Sequence, residues 1–504
     1  MTIDQASGIK SQSYLQWIDG NASDAASGER FTRSSPAHDV VVGDYPLANV
    51  IDTDRAVAAA RKAFDIGPWP RMSGAERSRI LFRVADLVEK HKDELILADV
   101  LEGGKPITQV RAEIAGAIDL WRYAAGQARS QHGESNSSLG PHMLGLTTRE
   151  PVGVVALITP WNFPFVILSQ KLPFALAAGC TVVVKPSELT PGSALQLGAI
   201  LNKAGVPAGV VNIIVGYGAT VGQRLAEHPN VDMISFTGST AVGKGIVRAS
   251  AGNLKRVALE LGGKNPQIVC ADADLDAAAD AVVFGVFFNA GQCCNSSSRL
   301  IVEKSISEDF LARVEALTAR VAVGDPLDET TKVGAIVNQN QMDRILGFVE
   351  GARRDGAEIR LGGTRMETKA GLFMAPTVVN KVTRDMRIAT DEVFGPVLST
   401  LTFEDLDDAF SIANGTHYGL SAGIWTDRYE SALQAGRQLS AGTVWVNCWM
   451  DGFPEMPFGG MRESGIGREQ GPHAIEDYME TKSVLFHQGP RTGMWVPAPE
   501  TGRR

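Results

Sequence analysis

Cysteine is scarce in this chain of 504 residues: Cys180, Cys270, Cys293, Cys294 and Cys448 are the only five. They form no even, spaced framework, which excludes a disulfide-stapled secreted domain and points to free thiols in a reducing compartment. A basic excess is also missing. The net charge of -9 leaves no cationic face for nonspecific nucleic-acid binding. Long apolar runs are absent too. The most apolar segment, LPFALAAGCTVVV at residues 172–184, falls short of the ~18 residues that span a bilayer. The opening MTIDQASGIKSQSYLQW has neither a basic nor an apolar region of a secretory signal. No repeat or low-complexity tract stands out. A cytoplasmic protein outside the membrane is the expectation.

What is present is an ordinary globular composition, 44% hydrophobic and 21% charged, in a chain long enough for two or three domains. Residues 53–128 place apolar side chains at three- and four-residue intervals between charges, which predicts helices. Residues 134–151 turn polar and extended, as a β-ribbon or linker would. From residue 152, valine- and isoleucine-rich strands alternate with helices: VGVVALITP, TVVVK, VVNIIVG, MISFTGS and KRVALELGG are the strands. This alternation predicts a parallel sheet covered on both faces, with ligands beyond the carboxyl ends of its strands. Residues 265–470 repeat the alternation less regularly and predict a second α/β unit. DLDAAADAVVFGVFFNAG reads as a helix delivering the cysteine pair, and the tail from residue 473 ends in a strand-like run.

The stretch NAGQCCNSSSR, residues 289–299, sets two cysteines side by side. Neighbouring Cα atoms lie about 3.8 Å apart, too close for a relaxed disulfide, and zinc-binding pairs are spaced more widely. A reactive thiol is one reading. Two small apolar residues at a helix end are the other. VGYGATVG (215–222) only approximates a GxGxxG turn, and a plain strand-to-helix turn explains it equally well. Glu188 follows the second strand, TVVVK, with Lys185 three residues earlier. A carboxylate there bonds a ribose hydroxyl and repels a 2′-phosphate, favouring NAD over NADP, unless KPSE is simply a capping turn. Gly238, Ser239 and Thr240 begin a helix, either as an anion site or as an ordinary N-cap. ELGGKNP puts Glu260 at a strand end, and PWNFP offers the Asn162 amide. A thiolate, a carboxylate base and an amide donor are the parts that attack a carbonyl and stabilise its oxyanion. None of the eight histidines lies in these motifs, which weakens a Cys–His hydrolase reading.

Taken together and in order, PWNFP, FTGST, LELGGKNP, GQCC, EVFGPV and PFGG resemble the aldehyde dehydrogenase superfamily, from about residue 53 to about residue 488. The resemblance implies a Rossmann-like NAD-binding domain (1–131 and 152–262), an α/β catalytic domain (263–472) and a small oligomerisation β-ribbon (132–151 and 473–490), with 491–504 as a C-terminal tail. Its G-[QE]-x-C pattern selects Cys294 as nucleophile and leaves Cys293 as a pocket neighbour. It implies Asn162 with the Cys294 backbone N–H as oxyanion donors and Glu260 as the base that activates water. Lys171 and Glu469 would help move the thiol proton. The thioester formed after hydride transfer would be hydrolysed to the acid.

For the cofactor, NAD with NADP possible, the resemblance implies contacts from Thr159, Pro160, Trp161, Lys185, Ser187, Glu188, Gly218 and Gly222. Phe236, Gly238, Ser239, Val242, Leu261 and Gly262 follow in the next strands and turns. Glu392 would bond the nicotinamide ribose and Phe394 pack near the ring. No metal is implied.

Eight residues beyond Asn162 many semialdehyde-oxidising members carry arginine and choline-type members tryptophan; this chain has Gln170. With Phe458 in PFGG, a quaternary-ammonium cage is incomplete. Phe163, Phe287, Trp449, Phe453 and Phe458 are expected to line an apolar tunnel with Gln170 and Cys293, suiting an uncharged or weakly polar aldehyde. Betaine-, amino- or semialdehyde oxidation is the alternative. CoA-dependent acylation is disfavoured by Glu260, since that reaction needs no base for water. A silent binding protein on this fold would give no NADH with any aldehyde. A homodimer or homotetramer is expected.

Overall fold

In the computed structural model, which describes residues 9–489, 493, 495 and 496, the valine-rich segments after residue 152 become the centre of a mixed eight-stranded sheet. Its spatial order is Gly465–Ile466, Arg256–Glu260, Met233–Thr237, Val154–Ile158, Thr181–Lys185, Val211–Ile213, Gln16–Ile18 and Asn21–Ser23. The five central strands run parallel. Val154–Ile158 and Thr181–Lys185 are buried at every position. Helices on both faces demand this of a parallel sheet, which is why the segments read as unbroken apolar runs.

The expected helices of the first region are Val50–Asp65, Gly74–Lys90, Lys92–Gly103 and Ile107–Gln127. Ser73 and Glu76 close a capping box at the start of Gly74–Lys90. Pro164–Ala178 starts with proline at its first position and stops at Gly179, whose φ of 101° only glycine adopts freely. Thirteen of its residues are buried, so this helix lies wholly inside the molecule.

A seven-stranded sheet forms the second unit, ordered Glu358–Leu361, Thr377–Asn380, Val397–Phe403, Arg299–Glu303, Pro266–Val269, Ser421–Trp425 and Thr443–Val446. Glu358–Leu361 alone pairs antiparallel in it. Each unit has its own core: Trp121, Phe165 and Phe174 in the first, Phe310, Ile345 and Ile424 in the second.

Met143–Pro151 pairs antiparallel with Met479–His487 over nine residues, from Met479 opposite Pro151 to His487 opposite Met143. No helix among the described residues is long and apolar enough to cross a membrane. The tail at 491–504 lies outside the described residues except at 493, 495 and 496.

Two features were not expected. Strands occur before residue 50, and Gln16–Ile18 and Asn21–Ser23 extend the first sheet. Three-residue strands are too short to show alternation. Gly465–Ile466, within the stretch assigned to the second unit, returns to pair with Leu259 and Glu260 of the first sheet.

Candidate functional site

The loop carrying the cysteine pair begins where a helix is forced to stop. Asp274 caps Leu275–Phe287, accepting from the N–H groups of Asp276 and Ala277. Asn289 (φ 51°), Ala290 (φ 54°) and Gly291 (φ 68°) then lie in the left-handed region. The sequence pattern runs this helix to Gly291; the chain ends it at Phe287, because left-handed residues cannot continue a right-handed helix. Such backbone is costly at non-glycine residues and persists where its surroundings hold it. Asn289 Nδ2 donates to the carbonyls of Asn162 (3.1 Å) and Gln292 (3.0 Å). A Cβ on Gly291 would stand 2.0 Å from the Gly395 carbonyl oxygen, so only glycine fits.

Cys294 emerges from this loop partly exposed, while Cys293 is buried against Phe163 and Ile167. Asn265 Nδ2 holds the Cys294 carbonyl at 2.7 Å. The hydrogen-bonding contact with the Cys293 thiol, then burial, then the charges of Glu392 and Glu260 push the Cys294 thiol well above its usual range. It therefore rests protonated, and a nucleophilic role requires a proton acceptor.

Glu260 ends the strand Arg256–Glu260 and is 5% exposed. Its Oε2 has no hydrogen-bond partner among the described residues. Burial first and the nearby Glu469 second raise its carboxyl well above the usual range, against the pull of Lys171 and Arg468. Lys171, fully buried on Pro164–Ala178, forms an ion pair with Glu469 and donates to Ser235 Oγ at 2.9 Å. Glu260 thus stands beside an ion pair without sharing in it.

Asn162 is 4% exposed, and its Nδ2 donates to the Gln292 carbonyl at 3.0 Å. One N–H on that nitrogen remains for another acceptor. Its backbone carbonyl accepts from Lys105 Nζ at 2.8 Å. Lys105 is itself paired with Glu113 at 2.6 Å and lies 3.7 Å over the Phe163 ring. Sequence reasoning missed Lys105, Glu113 and Asn289. A lysine in the turn GGKP carries no periodic signal, and its partners are remote in sequence.

Cys294, Glu260, Glu469, Cys293, Phe163, Gln170 and Phe458 line one cavity of about 290 Å³. Val166, Ile167, Leu261, Phe284, Phe288 and Met450 complete its apolar wall, with Trp445 and Gln470. Three residues expected in a tunnel lie elsewhere. Phe287 is 2% exposed and packs in the second core, because the helix end turns Phe288 rather than Phe287 toward Cys293. Trp449 is buried against Trp445, ring centroids 4.8 Å apart, and Trp445 takes the cavity wall. Phe453 is 60% exposed and off the wall.

The remaining sequence-derived residues gather at one edge of the first sheet, where four parallel strands end. Thr159, Pro160 and Trp161 follow one strand; Ser187 and Glu188 follow Lys185. Phe236, Gly238 and Ser239 lie at the end of the third, Leu261 and Gly262 beyond the fourth. Lys185 Nζ reaches Glu188 at 3.4 Å. Gly218 and Gly222 bound a π-helical turn, and a Cβ on Gly222 would lie 3.9 Å from Lys185 Cδ.

Ser239 caps the helix Thr240–Ser250 through Val242 N at 3.4 Å, and Val242 is half exposed. A Cβ on Gly238 would meet the Phe236 ring at 2.4 Å, so only glycine fits beside that ring. Glu392 accepts from Gly263 N at 3.0 Å, and burial lifts its carboxyl to about 7. Phe394 meets Trp161 edge-on at 5.4 Å. The buried hydroxyls of Thr159 and Thr237 lack partners among the described residues. A glycine leading into a helix N-terminus, a carboxylate beyond the second strand and free hydroxyls fit a dinucleotide lying along this edge. No group of three or more metal-ligating side chains occurs among the described residues.

Comparison with known proteins agrees in fold and over nearly the full length. A family model described as the aldehyde dehydrogenase family matches residues 23–484. The chain is 44% identical over 470 residues to the mitochondrial benzaldehyde dehydrogenase of Antirrhinum majus, covering 93% of this chain and 88% of that protein. It superposes on the crystal structure of an NAD-dependent aldehyde dehydrogenase from Sinorhizobium meliloti with a TM-score of 0.95 and 51% identity, covering 97% of each chain. A betaine aldehyde dehydrogenase from Staphylococcus aureus, solved in complex with NAD+, gives a TM-score of 0.94 at 34% identity, covering 96% of this chain and 97% of that one. With a thiol and an unpartnered carboxylate in one cavity beside a dinucleotide-shaped edge, the chain belongs to the aldehyde dehydrogenase family.

Proposed function

We propose that this protein oxidises an uncharged or weakly polar aldehyde to its carboxylic acid with NAD. The carrying observation is that Cys294 and the unpartnered Glu260 face one cavity whose wall is otherwise mainly apolar. Lys185, Ser187, Glu188, Gly238, Ser239 and Glu392 would hold the cofactor, and Glu188 favours NAD by repelling a 2′-phosphate. NAD, when bound, supplies the hydride acceptor that turns the Cys294 adduct into a thioester.

The chain's own residues supply the rest. Cys294 passes its proton to the ionised Glu260, from which Lys171 and Glu469 would relay it away, and bonds the aldehyde carbon through sulfur. The free N–H of the Asn162 amide and the Cys294 backbone N–H, which has no acceptor among the described residues, orient and stabilise the oxyanion. Glu260, ionised, takes a proton from water as the water oxygen bonds the thioester carbon. The C–S bond then breaks, and the acid leaves with Cys294 restored. Lys171 and Glu469 set how readily Glu260 accepts that proton.

Gln170 gives the cavity a polar contact without a fixed charge, and Lys105 neutralises Glu113. The ribbon is read as an oligomerisation element, since its edge strand Met479–His487 exposes Leu485 and Phe486. The protein's free thiols fit a cytoplasmic setting.

The test is a panel of aliphatic, aromatic, amino- and carboxy-aldehydes followed by NADH and NADPH fluorescence, with the product identified in the absence of CoA. Acid formed with NADH from neutral aldehydes supports the reading. Best turnover with a carboxy- or ammonio-aldehyde, or turnover that survives selective loss of Cys294, would overturn it.

A further inference from the structure

The catalytic cavity has a thin wall on one side. Phe284 and Phe288, four residues apart at the end of Leu275–Phe287, line it and also line a second cleft of about 620 Å³. Phe288 is the first residue past that helix, and the two rings pack 5.2 Å apart at 55°. The packed Phe284 and Phe288 rings therefore stand at a boundary the two spaces share. Phe284 is 43% exposed, and an exposed side chain changes rotamer within nanoseconds.

The second cleft is chiefly apolar, with Val283, Phe287, Leu317, Val321 and Val333 on its walls. Its charged lining residues, Asp280, Arg320 and Lys332, are of both signs, so no single charge is selected. It is also tied to the thiol loop: Gln109 donates to the Lys332 carbonyl at 2.8 Å and accepts from Asn289 N at 3.2 Å. At about 290 Å³ the catalytic cavity alone sits at the bottom of the range of ligand pockets. The adjoining cleft is twice as large.

We propose that the cleft receives the apolar tail of an extended straight-chain aldehyde threaded past Phe284 and Phe288, which makes long-chain aldehydes the preferred substrates. This deepens the functional reading above and rests on it. Binding without turnover separates the two.

The experiment is calorimetric titration of the full chain with straight-chain primary amides, from butanamide to dodecanamide. Affinity should keep tightening to the longest chain, by up to about fourfold per buried methylene. Val321→Trp, which fills the cleft away from the thiol, should leave butanamide binding unchanged and abolish the gain beyond the middle of the series. A plateau by hexanamide in the unaltered protein, or equal long-chain gain in both proteins, overturns the proposal. If Val321→Trp fails to fold, the series on the unaltered protein decides alone. Long amides that bind tightly to a protein giving no NADH with any aldehyde would sink the functional reading and leave the cleft standing.

Discussion

Two buried lysine–carboxylate pairs flank the catalytic cavity, and they are put to different use. Lys105 directs its ammonium at Glu113, at the Asn162 carbonyl and over the Phe163 ring. Every one of those contacts fixes a position. Lys171 pairs with Glu469 and Ser235, leaving the neighbouring Glu260 with an oxygen that has no hydrogen-bond partner among the described residues. That pair sets a proton affinity. The same two residue types, equally hidden from water, serve as a clamp on one side and as an electrostatic bias on the other. Breaking the clamp should slow the reaction without moving its pH dependence; breaking the bias should do the reverse.

The largest effect is expected from Glu260→Gln. With its base gone, the protein should release about one NADH per site in a rapid burst and then slow by about 10²–10⁴-fold, the usual worth of a general base. Rapid-quench and stopped-flow fluorescence would read it, and steady turnover at the normal rate would remove Glu260 from the role. Lys105→Met should come next. Displacing Asn162 by even 1 Å is expected to lower kcat by up to about 100-fold with KM and the pH midpoint unmoved. A shifted midpoint would mean that this pair, too, acts on proton affinity.

The third test sets the two partners of the second pair against each other. As the proposed base Glu260 works ionised, so turnover should rise with pH through its raised pKa. Lys171→Met removes the charge that lowers that pKa and should move the midpoint up. Glu469→Gln removes the charge that raises it and should move the midpoint down. Shifts on the order of one pH unit are expected; movement in the same direction would end the comparison.

The smallest effect concerns stability. The folded state holds the Glu392 proton up to about 7, against an ordinary value of 4.5. Stability is therefore lost as pH rises between those two values, because the unfolded chain gives up the proton first. Glu392→Gln should raise Tm by a degree or two, roughly, at pH 8 and leave it unchanged at pH 4. An equal change at both would point to packing instead.

Much of this arrangement could be read from the chain before any coordinates. Short motifs at strand ends are local, and local features survive without knowledge of packing: Glu260 ends one largely apolar strand, and Ser239 and Glu188 come two and three residues after two others. The choice of Cys294 over Cys293 came from a family spacing rule, since composition treats the two thiols alike. What sequence could not supply was the angle at which elements meet. Phe287 and Phe288 are chemically identical, and only the left-handed turn at Asn289 decides which faces the cavity. Trp445 and Trp449 exchange places for the same reason, since both are apolar and four residues apart. Lys105 and Asn162 are 57 residues apart, and nothing in either neighbourhood announces the bond.

The short return strand Gly465–Ile466 has a mechanical meaning. It is stitched to Leu259 and Glu260, its neighbour Ser464 accepts from Leu261 N and donates to the Gly262 carbonyl, and Glu463 grips Lys244. The two lobes are therefore latched at Glu260 itself. Any movement of one lobe against the other would pivot about that latch, opening the gap farthest from Glu260 and holding the proposed base in place.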